Sequence, residues 1–395
     1  MGGHVVVAPD KFKGSLSAAE VAREVADGLR AAIPGLNVRE HPVADGGDGT
    51  VEAALSAGYA RREVRCTGPT GEPVMAALAI RDQVAVVELA EASGLRRLPG
   101  GRPAATTATS RGTGELIRAA LDLGCRRVVL GIGGSASTDG GAGMVQALGA
   151  RLLDAAGAEL GPGGAALADL DRIDLSGLDP RIRQTEVTVA SDVDNPLLGR
   201  QGAAAVYGPQ KGASTDDVAL LDAALARWAA AARAATDVDA ADRPGAGAAG
   251  GVGFAAIVFL GAEIRSGIDY LLDLLQVRAA IDGARLVVTG EGSLDDQTLR
   301  GKAPAGVAAA ARAAGVPAVA VAGRSTLDPA ALEPAGIARV YLLSDLEPDP
   351  ERSMRDPAPL LRSLAGRIAA DWLGWSTPTG TSTSPAGPSG RGSTP

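Results

Sequence analysis

Short apolar runs alternate with longer segments of helical spacing along most of the chain. Residues 4–8 predict a buried strand, and in residues 16–32 the apolar positions share one face of a helix. Further strands are predicted at residues 84–89, 127–130, 187–190, 286–288 and 318–321, and further helices at residues 114–123, 141–153, 216–235 and 304–314. Most of these strands are continuously apolar, which is typical of a sheet covered on both faces, so the pattern predicts an α/β fold.

Two segments do not follow this pattern. Residues 239–253 are rich in Ala and Gly and predict a flexible connection. Residues 376–395 consist almost entirely of Ser, Thr, Pro, Gly and Ala. Because such a composition cannot bury an apolar core, we expect a disordered tail there.

Composition narrows the class of protein. A chain of 395 residues suits two or more domains, and 46% apolar residues allow large cores. The net charge of −8 argues against nucleic-acid or anionic-membrane binding. No apolar run is long enough to span a bilayer and no leader pattern is seen, so we expect a cytoplasmic protein. The two cysteines, Cys66 and Cys125, are expected to be buried thiols, although a disulfide between them stays open.

The loop after the first predicted strand, residues 9–17, carries Lys11 and Lys13 just before a helix. Cations beside a helix N-terminus favour a phosphate site, although an ordinary capped turn is the alternative. A second loop, residues 43–50, holds Asp45 and Asp48 between glycines. Carboxylates there can approach a hard cation or a substrate hydroxyl, but Asp-Gly turns are also common without any function.

The richest loop, residues 131–143, follows a predicted strand and opens a predicted helix. Its glycines allow backbone amides to converge on an anion, its hydroxyls add donors, and Asp139 offers a carboxylate. The spacing matches neither a Walker A loop nor a dinucleotide fingerprint. It indicates an anion-binding loop outside those two classes.

Three further loops contain chemistry-bearing side chains at strand ends or helix starts. Asp192 follows the strand at 187–190 as a candidate base or metal ligand, with an Asx-turn as the alternative. Glu291 follows the strand at 286–288 in an acidic Gly-rich turn. Arg111 precedes a helix and is suited to clamp a carboxylate or phosphate, unless it is a surface cation.

Taken together, these loops provide anion donors, local cations and several carboxylates. Phosphoryl transfer requires that set: donors and Mg²⁺ for the phosphates, and a carboxylate for the acceptor's proton. Only His4 and His41 exist, so a Ser-His-Asp triad is disfavoured. The residues therefore predict an ATP-dependent phosphotransferase.

The motifs also resemble a known family. From about residue 5 to residue 372 the chain is similar to bacterial glycerate kinases that phosphorylate the 2-hydroxyl of glycerate. The resemblance rests on APDKFKGSLSAAEVA, PVADGGDGT, TGPTGE, TSRGTGELI, GIGGSASTDGGAGMVQALGA, NPLLG, GPQKGAS, PGAGAAGG, SGID and TGEGSLDDQT. These motifs are long, ordered and separated, so a chance match is improbable.

The resemblance implies two α/β domains around a cleft. It assigns residues 1–70 plus 283–375 to a flavodoxin-like parallel-sheet domain and residues 71–282 to an inserted α/β domain that carries the GIGGSASTDGG loop. It further implies ATP and Mg²⁺, with D-glycerate as substrate and 2-phosphoglycerate and ADP as products. We expect a monomer or homodimer without nucleic-acid or membrane partners.

On this basis, each candidate residue receives a role. The amides of Gly133, Gly134 and Ser135 and the Ser137 hydroxyl are expected to cradle the ATP phosphates. Magnesium ligands are expected among four carboxylates, namely Asp45, Asp48, Asp139 and Glu291.

The remaining roles concern the acceptor and the transferred group. Lys11 and Lys13 are expected to offset charge on the phosphoryl group, and Arg111 to orient the glycerate carboxylate. Substrate contacts are also expected from Ser15 and Asp45, while Asp192 accepts the hydroxyl proton, with Asp45 or Asp295 as rivals. The alternatives are a kinase for a related hydroxy acid and a non-catalytic nucleotide or metabolite sensor on the same fold.

Overall fold

A computed structural model describes residues 3–374, in which strands and helices alternate along most of the chain. The strands are β1 (His4–Pro9), β2 (Val38–Glu40), β3 (Ala60–Thr67), β4 (Pro73–Arg81), β5 (Val84–Glu88), β6 (Arg127–Gly131), β7 (Arg151–Leu153), β8 (Arg172–Asp174), β9 (Glu186–Ala190), β10 (Glu263–Arg265), β11 (Ala284–Leu294), β12 (Ala318–Ser325) and β13 (Ile337–Leu342). The α-helices are α1 (Ala18–Ala32), α2 (Thr50–Ser56), α3 (Leu89–Ser93), α4 (Arg111–Asp122), α5 (Ala142–Ala147), α6 (Ala203–Tyr207), α7 (Thr215–Thr236), α8 (Ala248–Leu260), α9 (Gly267–Leu274), α10 (Val277–Ile281), α11 (Ala303–Ala313), α12 (Pro329–Leu332), α13 (Pro350–Arg355) and α14 (Ala358–Trp372). The predicted tail at residues 376–395 lies outside the described residues.

The first sheet is fully parallel, with the strand order β13-β12-β11-β1-β2. Counted along the chain within this sheet, the order reads 2-1-3-4-5, which is the flavodoxin-like arrangement. The chain reverses its direction of winding between β1 and β11. Ligands of such sheets bind beyond the carboxyl ends of the strands at that point, so the fold itself predicts where a site lies.

Strand β1 is buried on both faces. Val5 and Val7 pack in the cluster that includes α1 and α14, whereas Val6 and Ala8 pack on the opposite face. All four side chains are fully buried. This double burial explains why the strand reads as a continuous apolar run.

The second sheet is mixed, with the order β10-β9-β6-β5-β4-β3. Its β5, β6, β9 and β10 pair in parallel, while β3 and β4 form antiparallel pairs. The segment 1–70, assigned above to the first domain, therefore contributes β3 to the second sheet. One core cluster joins Val6 of the first sheet to Val129 of the second through residues of α2, α9, α10 and α11.

The six predicted strands are confirmed, as are the helices predicted at 16–32, 114–123, 216–235 and 304–314. The helix predicted at 141–153 is wrong in its second half. Gly149, with φ of 105°, follows the end of α5, and Arg151–Leu153 forms β7 instead. The left-handed backbone at that glycine does not continue a helix.

The flexible connection predicted at 239–253 is also wrong from residue 248 onward. Helix α8 begins at Ala248, and its residues from Val252 to Leu260 are all buried. A turn of positive φ at residues 249–251 precedes the regular part of this helix. The Gly- and Ala-rich composition therefore serves close packing rather than flexibility.

Two further sequence expectations can be compared with the structure. Cys66 and Cys125 are both buried free thiols, and burial raises the pKa of Cys66 to about 12. Within residues 3–374, the helices are all too short or too polar to cross a membrane.

Candidate active site

A cavity of about 970 Å³ opens beyond the carboxyl ends of β1 and β11, where the strand order reverses. The loops that line it follow β1, β2, β11 and β13 of the first sheet and β6 and β9 of the second. The position agrees with the rule for flavodoxin-like sheets. The cavity therefore collects side chains from segments that are far apart in the sequence.

Most of the predicted site residues line this cavity, and some do not. The lining includes Lys11, Lys13, Ser15, Asp45, Asp48, Gly133, Gly134, Asp192 and Glu291. Outside the lining are Arg111, Ser135, Ser137 and Asp139. The second group consists of three members of the loop after β6 and one residue at the start of α4.

Asp10 and Lys11 form the floor of the cavity at the end of β1. The Lys11 Nζ donates to the Asp48 carbonyl oxygen at 2.6 Å and lies 3.5 Å from the Asp10 Oδ1. Burial raises the pKa of Asp10 to about 6, although the Lys11 charge opposes this effect. Burial also acts to lower the pKa of Lys11, but the charges of Asp10, Asp45 and Asp48 outweigh it and the pKa is raised. The lysine therefore remains an ammonium ion at neutral pH.

Glu291 lies beside Asp10 because β1 and β11 are neighbours in register, with Pro9 opposite Gly290. Its Oε1 accepts a hydrogen bond of 2.5 Å from the Thr298 hydroxyl. The pKa of Glu291 is raised by burial and by the nearby charge of Asp10, against the opposing effects of Thr298 and Lys302. Two carboxyl groups that hold protons more readily than usual thus lie side by side in the cavity, and we call Asp10 and Glu291 the acidic pair.

The loop after β2 contacts the loop after β6, and glycines permit the close approach. A Cβ built on Gly133 would lie 2.4 Å from the Gly47 Cα, and one on Gly134 would lie 2.6 Å from the Asp48 Oδ1. Gly134 also has a φ of 72°, which disfavours other residues. The Gly133 amide donates to the Gly46 carbonyl at 3.2 Å, so it is engaged within the protein.

Asp48 and Asp45 present their carboxylates differently. The Oδ1 of Asp48 is buried and accepts no hydrogen bond from the described residues. The Oδ1 of Asp45 accepts the Gly47 amide at 3.0 Å. An orphaned carboxylate oxygen of this kind is typical of a place that a cation or another donor completes.

Asp192 projects into the cavity from the loop after β9. Its Oδ1 accepts the Gly267 amide at the start of α9 at 3.0 Å. The surrounding protein raises the pKa of Asp192 by desolvation, and the charge of Asp45 adds to the shift, against hydrogen bonds from residues 266–268. The hydrogen bond fixes one oxygen of this carboxylate in place.

Asp139 has a different environment. It is fully buried, and its two oxygens accept five hydrogen bonds from Thr109, Ser110, Gly141 and Gly143 at 2.8 to 3.4 Å. These bonds tie the loop after β6 to the start of α4. The geometry makes Asp139 an organiser of the loop from within the protein.

Lys211 lies behind the same loop. It is 1% exposed, and its Nζ donates to the Ser137 carbonyl oxygen. Burial lowers the pKa of Lys211 to about 7, with the charge of Asp139 opposing the shift. The hydroxyls of Ser137 and Thr138 are buried without a hydrogen-bond partner among residues 3–374.

Arg111 is exposed at the first position of α4, and its Nε lies 3.3 Å from the Glu115 Oε1. Glu115 in turn accepts hydrogen bonds from the amide and hydroxyl of Thr67. The guanidinium of Arg111 is thus part of a surface ion pair and lies outside the cavity lining.

The described residues contain no group of three or more His, Cys, Asp or Glu side chains arranged to hold a metal ion. Magnesium is commonly held by one or two carboxylates together with waters and phosphate oxygens. The open Oδ1 of Asp48, with Asp45 in the same loop, fits that mode of binding, and Glu291 lines the same cavity.

Sequence reasoning gave no separate role to four residues. Asp10 lies within a quoted motif, and its position directly after a predicted strand was an available signal. Arg324 lines the cavity from β12, and the buried Lys211 lies in the quoted motif GPQKGAS. Glu88 accepts the amides of Gly49 and Val51, both at 3.1 Å, at the start of α2. Burial raises the pKa of Glu88 to about 7, and only the fold reveals this placement.

Known proteins resemble the whole described chain. The model of the Glycerate kinase family matches residues 5–373. A glycerate kinase of Bacillus subtilis (strain 168) is 45% identical over 369 residues, covering 93% of this chain and 97% of the relative. A glycerate 2-kinase of Escherichia coli (strain K12) is 47% identical over 340 residues, covering 85% and 89%.

A solved structure agrees with these sequence comparisons. A crystal structure described as a glycerate kinase 2, from Salmonella typhimurium LT2, superposes with a TM-score of 0.81 at 43% identity. The superposition covers 94% of this chain and 99% of that one. The family model and the relatives span both sheets and every loop of the cavity, and the chain belongs to the glycerate kinase family.

Proposed function

We propose that the protein transfers the terminal phosphoryl group of ATP to D-glycerate, at the 2-hydroxyl, giving 2-phosphoglycerate and ADP. The observation that carries this proposal is the cavity at the strand-order reversal, where Lys11, the acidic pair and Asp192 converge in a member of the glycerate kinase family. The family implies ATP as the donor. The relative named a glycerate 2-kinase supports the position of transfer.

The ATP phosphates bind at the Gly133–Gly134 turn, with Lys11 and Lys13 in the lining of the same cavity. The Gly133 amide already bonds the Gly46 carbonyl, so the Gly134 amide is the backbone donor of this turn. Support comes from the lining, in which these four residues face one space. Ser135 and Ser137 lie behind the turn and shape it from within the protein. Backbone donors and fixed cations suit a reaction that depends on positioning and charge stabilisation.

Magnesium, when bound, neutralises charge on the phosphates. Asp48, with Asp45 of the same loop, would hold it together with water and phosphate oxygens, since the orphaned Oδ1 of Asp48 needs a partner and hard oxygen ligands suit this cation. Glu291 lines the same cavity and is a further candidate ligand. The oxygens of Asp139 are already engaged by protein donors, so the proposed metal set leaves Asp139 out.

Asp192 accepts the proton of the substrate hydroxyl. The start of α9 holds this carboxylate in place, with the Gly267 amide donating to its Oδ1, and Asp192 still lines the cavity where the hydroxyl would bind. A raised pKa brings a carboxylate closer to the range in which it works well as a general base. Asp45 and Asp295 are the rival bases. Ser15, whose hydroxyl donates to the Met354 carbonyl at 2.7 Å, lines the same cavity and is the proposed further substrate contact.

The first experiment measures ADP release with ATP, Mg²⁺ and D-glycerate, and NMR of the product distinguishes 2- from 3-phosphoglycerate. We expect turnover with glycerate and the 2-phosphate as product. Turnover with another hydroxy acid alone would point to a related kinase. Nucleotide binding without turnover on any acceptor would point to a sensor.

The second experiment tests the base. Asp192→Asn should lower kcat by about 100-fold or more, with little change in ATP binding. Asp194→Asn is the matched control, because Asp194 lines the same cavity two residues away. Near-normal turnover of Asp192→Asn would assign the proton transfer to Asp45 or Asp295 instead.

A further inference from the structure

The proposed acceptor is an anion, and its carboxylate needs a cation within the cavity. Arg111 is the arginine that the sequence pattern favoured for this task. The structure has it outside the lining, exposed and paired with Glu115 at 3.3 Å. Another cation that faces the cavity must therefore meet the carboxylate, if the proposed function holds.

Two of the lysines in the lining already have partners. Lys11 donates to the Asp48 carbonyl and lies beside Asp10. Lys302 has its Nζ 3.8 Å from the Asp295 Oδ1. Their charges are therefore partly compensated before any ligand binds.

Arg324 is in a different position. It lines the cavity near the end of β12, and none of the ion pairs formed within residues 3–374 includes it. Lys13 also lines the cavity and is exposed, as Arg324 is, but no hydrogen bond among the described residues holds its ammonium group. Arg324 therefore has a positive charge without an ion-pair partner among the described residues, and a hydrogen bond holds its guanidinium in place.

The hydrogen bond that holds Arg324 comes from the neighbouring strand, β11. Ser293 of β11 is the register partner of Arg324, and its Oγ accepts a hydrogen bond from the Arg324 Nε at 3.3 Å. In the described part of the chain, no hydrogen bond engages the two terminal nitrogens of this guanidinium. A guanidinium presents a planar pair of donors that matches the two oxygens of a carboxylate.

We infer that Arg324 binds the carboxylate of the acceptor and makes the enzyme specific for hydroxy acids over neutral polyols. This inference rests on the proposed function. Ser293 orients the guanidinium by holding its Nε, so Ser293 is a positioning residue. Asp10, Glu291 and Asp192 line the same cavity and repel the substrate carboxylate, so that group needs a cation with uncompensated charge, which Arg324 supplies.

The test compares Arg324→Gln, Arg324→Lys and Ser293→Ala with the wild type, using D-glycerate and glycerol as acceptors. Loss of a charged hydrogen-bonding pair should raise the KM for D-glycerate in Arg324→Gln by about 10- to 100-fold. The KM for ATP should change by less than about threefold, and the preference for glycerate over glycerol should shrink by the same factor as the KM rises. Lysine should restore part of the affinity because it keeps the charge but loses the paired geometry.

Ser293→Ala should raise the KM for D-glycerate only a few-fold, since the charge remains. Arg285→Gln is the control, because Arg285 is an exposed arginine at the opposite end of β11. A rise in the KM for ATP without a rise for glycerate would assign Arg324 to the nucleotide phosphates and overturn the inference. Unchanged constants for both substrates would overturn it as well.

Failure of the proposed function gives a distinct result. In that case the wild type releases no ADP with D-glycerate, whatever residue stands at position 324. The inference is then tested with other hydroxy acids and their uncharged alcohol analogues. If the wild type prefers the acids and Arg324→Gln does not, Arg324 is still the carboxylate residue; if the preference survives in the variant, the inference fails.

Discussion

Asp10 and Asp139 are both buried carboxylates in loops after parallel strands, yet their surroundings are opposite. Asp139 accepts five hydrogen bonds from backbone amides and hydroxyls of its own loop and of the start of α4. Within the described residues, the Asp10 carboxylate accepts hydrogen bonds from Lys11 alone, and burial raises its pKa to about 6. The protein therefore satisfies the charge of Asp139 with its own donors, whereas the carboxylate of Asp10 lines the cavity with acceptor capacity unused.

The difference teaches how to separate structural from functional charge in this fold. A carboxylate with a full set of protein donors holds a loop together, whereas a carboxylate with unused acceptor capacity is available to a ligand. By this criterion the acidic pair, Asp48 and Asp192 belong to the chemistry, and Asp139 belongs to the scaffold. Each prediction below tests that division.

The largest effect is expected at Asp139. Asp139→Ala leaves the buried donors of Ser110, Gly141 and Gly143 without an acceptor, which should lower the free energy of unfolding by about 3 to 5 kcal/mol. Urea denaturation measures this, with Asp216→Ala on the exposed first turn of α7 as control. A loss below about 1 kcal/mol together with lost activity would move Asp139 to the functional group.

Asp10→Asn should do the reverse, lowering kcat while sparing stability. The pKa of Asp10 is raised from 3.8 to about 6, so its stabilising effect is present below pH 3.8 and lost as the pH rises through 6. The free energy of unfolding of the wild type should thus fall relative to the variant by about 2 kcal/mol between pH 4 and pH 7. Urea titrations across that range measure the difference, and parallel profiles would contradict the raised pKa.

Lys211 allows a corresponding test on a buried cation, in which stability should change with pH in the opposite direction. Its folded pKa of about 7 lies below the ordinary value of 10.5, so the folded protein releases this proton first. Stability should therefore rise with pH above 7 in the wild type, by about 2 kcal/mol relative to Lys211→Met between pH 7 and pH 9. Chemical denaturation at both pH values checks this, and an equal stability difference at both would contradict it.

Much of the fold could be predicted because its strands are short, apolar and buried on both faces. Strand β1 is an example, with Val5 and Val6 in clusters on opposite faces of the sheet. Strand β3 escaped prediction because it lies at the edge of the second sheet and most of its side chains are exposed. Strands β2 and β10 have only three residues each, which is too short for an alternation of apolar and polar positions to be recognised in the sequence.

The site could be predicted only as far as its loops. Sequence position placed Lys11, Asp192 and Glu291 at the ends of predicted strands, and parallel strands bring those ends together. It could not distinguish Asp139 from Asp48, since each directly precedes a glycine in a glycine-rich loop, and only the hydrogen bonds separate them. Nor could the sequence show that Arg111, at the start of α4, pairs with Glu115 outside the cavity, because that placement depends on the tertiary structure.

Arg111 should give the smallest effect of all. Its charge is already met by Glu115 at 3.3 Å, so it belongs with Asp139 among the groups that the protein satisfies by itself. Because an exposed ion pair contributes little, Arg111→Gln should change the free energy of unfolding by about 0.5 kcal/mol and kcat/KM for D-glycerate by less than about twofold. Steady-state assays beside Arg324→Gln make the comparison direct. A large rise in the KM for glycerate in Arg111→Gln alone would place the carboxylate at the start of α4, and the separation between satisfied and available charges would then fail for the cations.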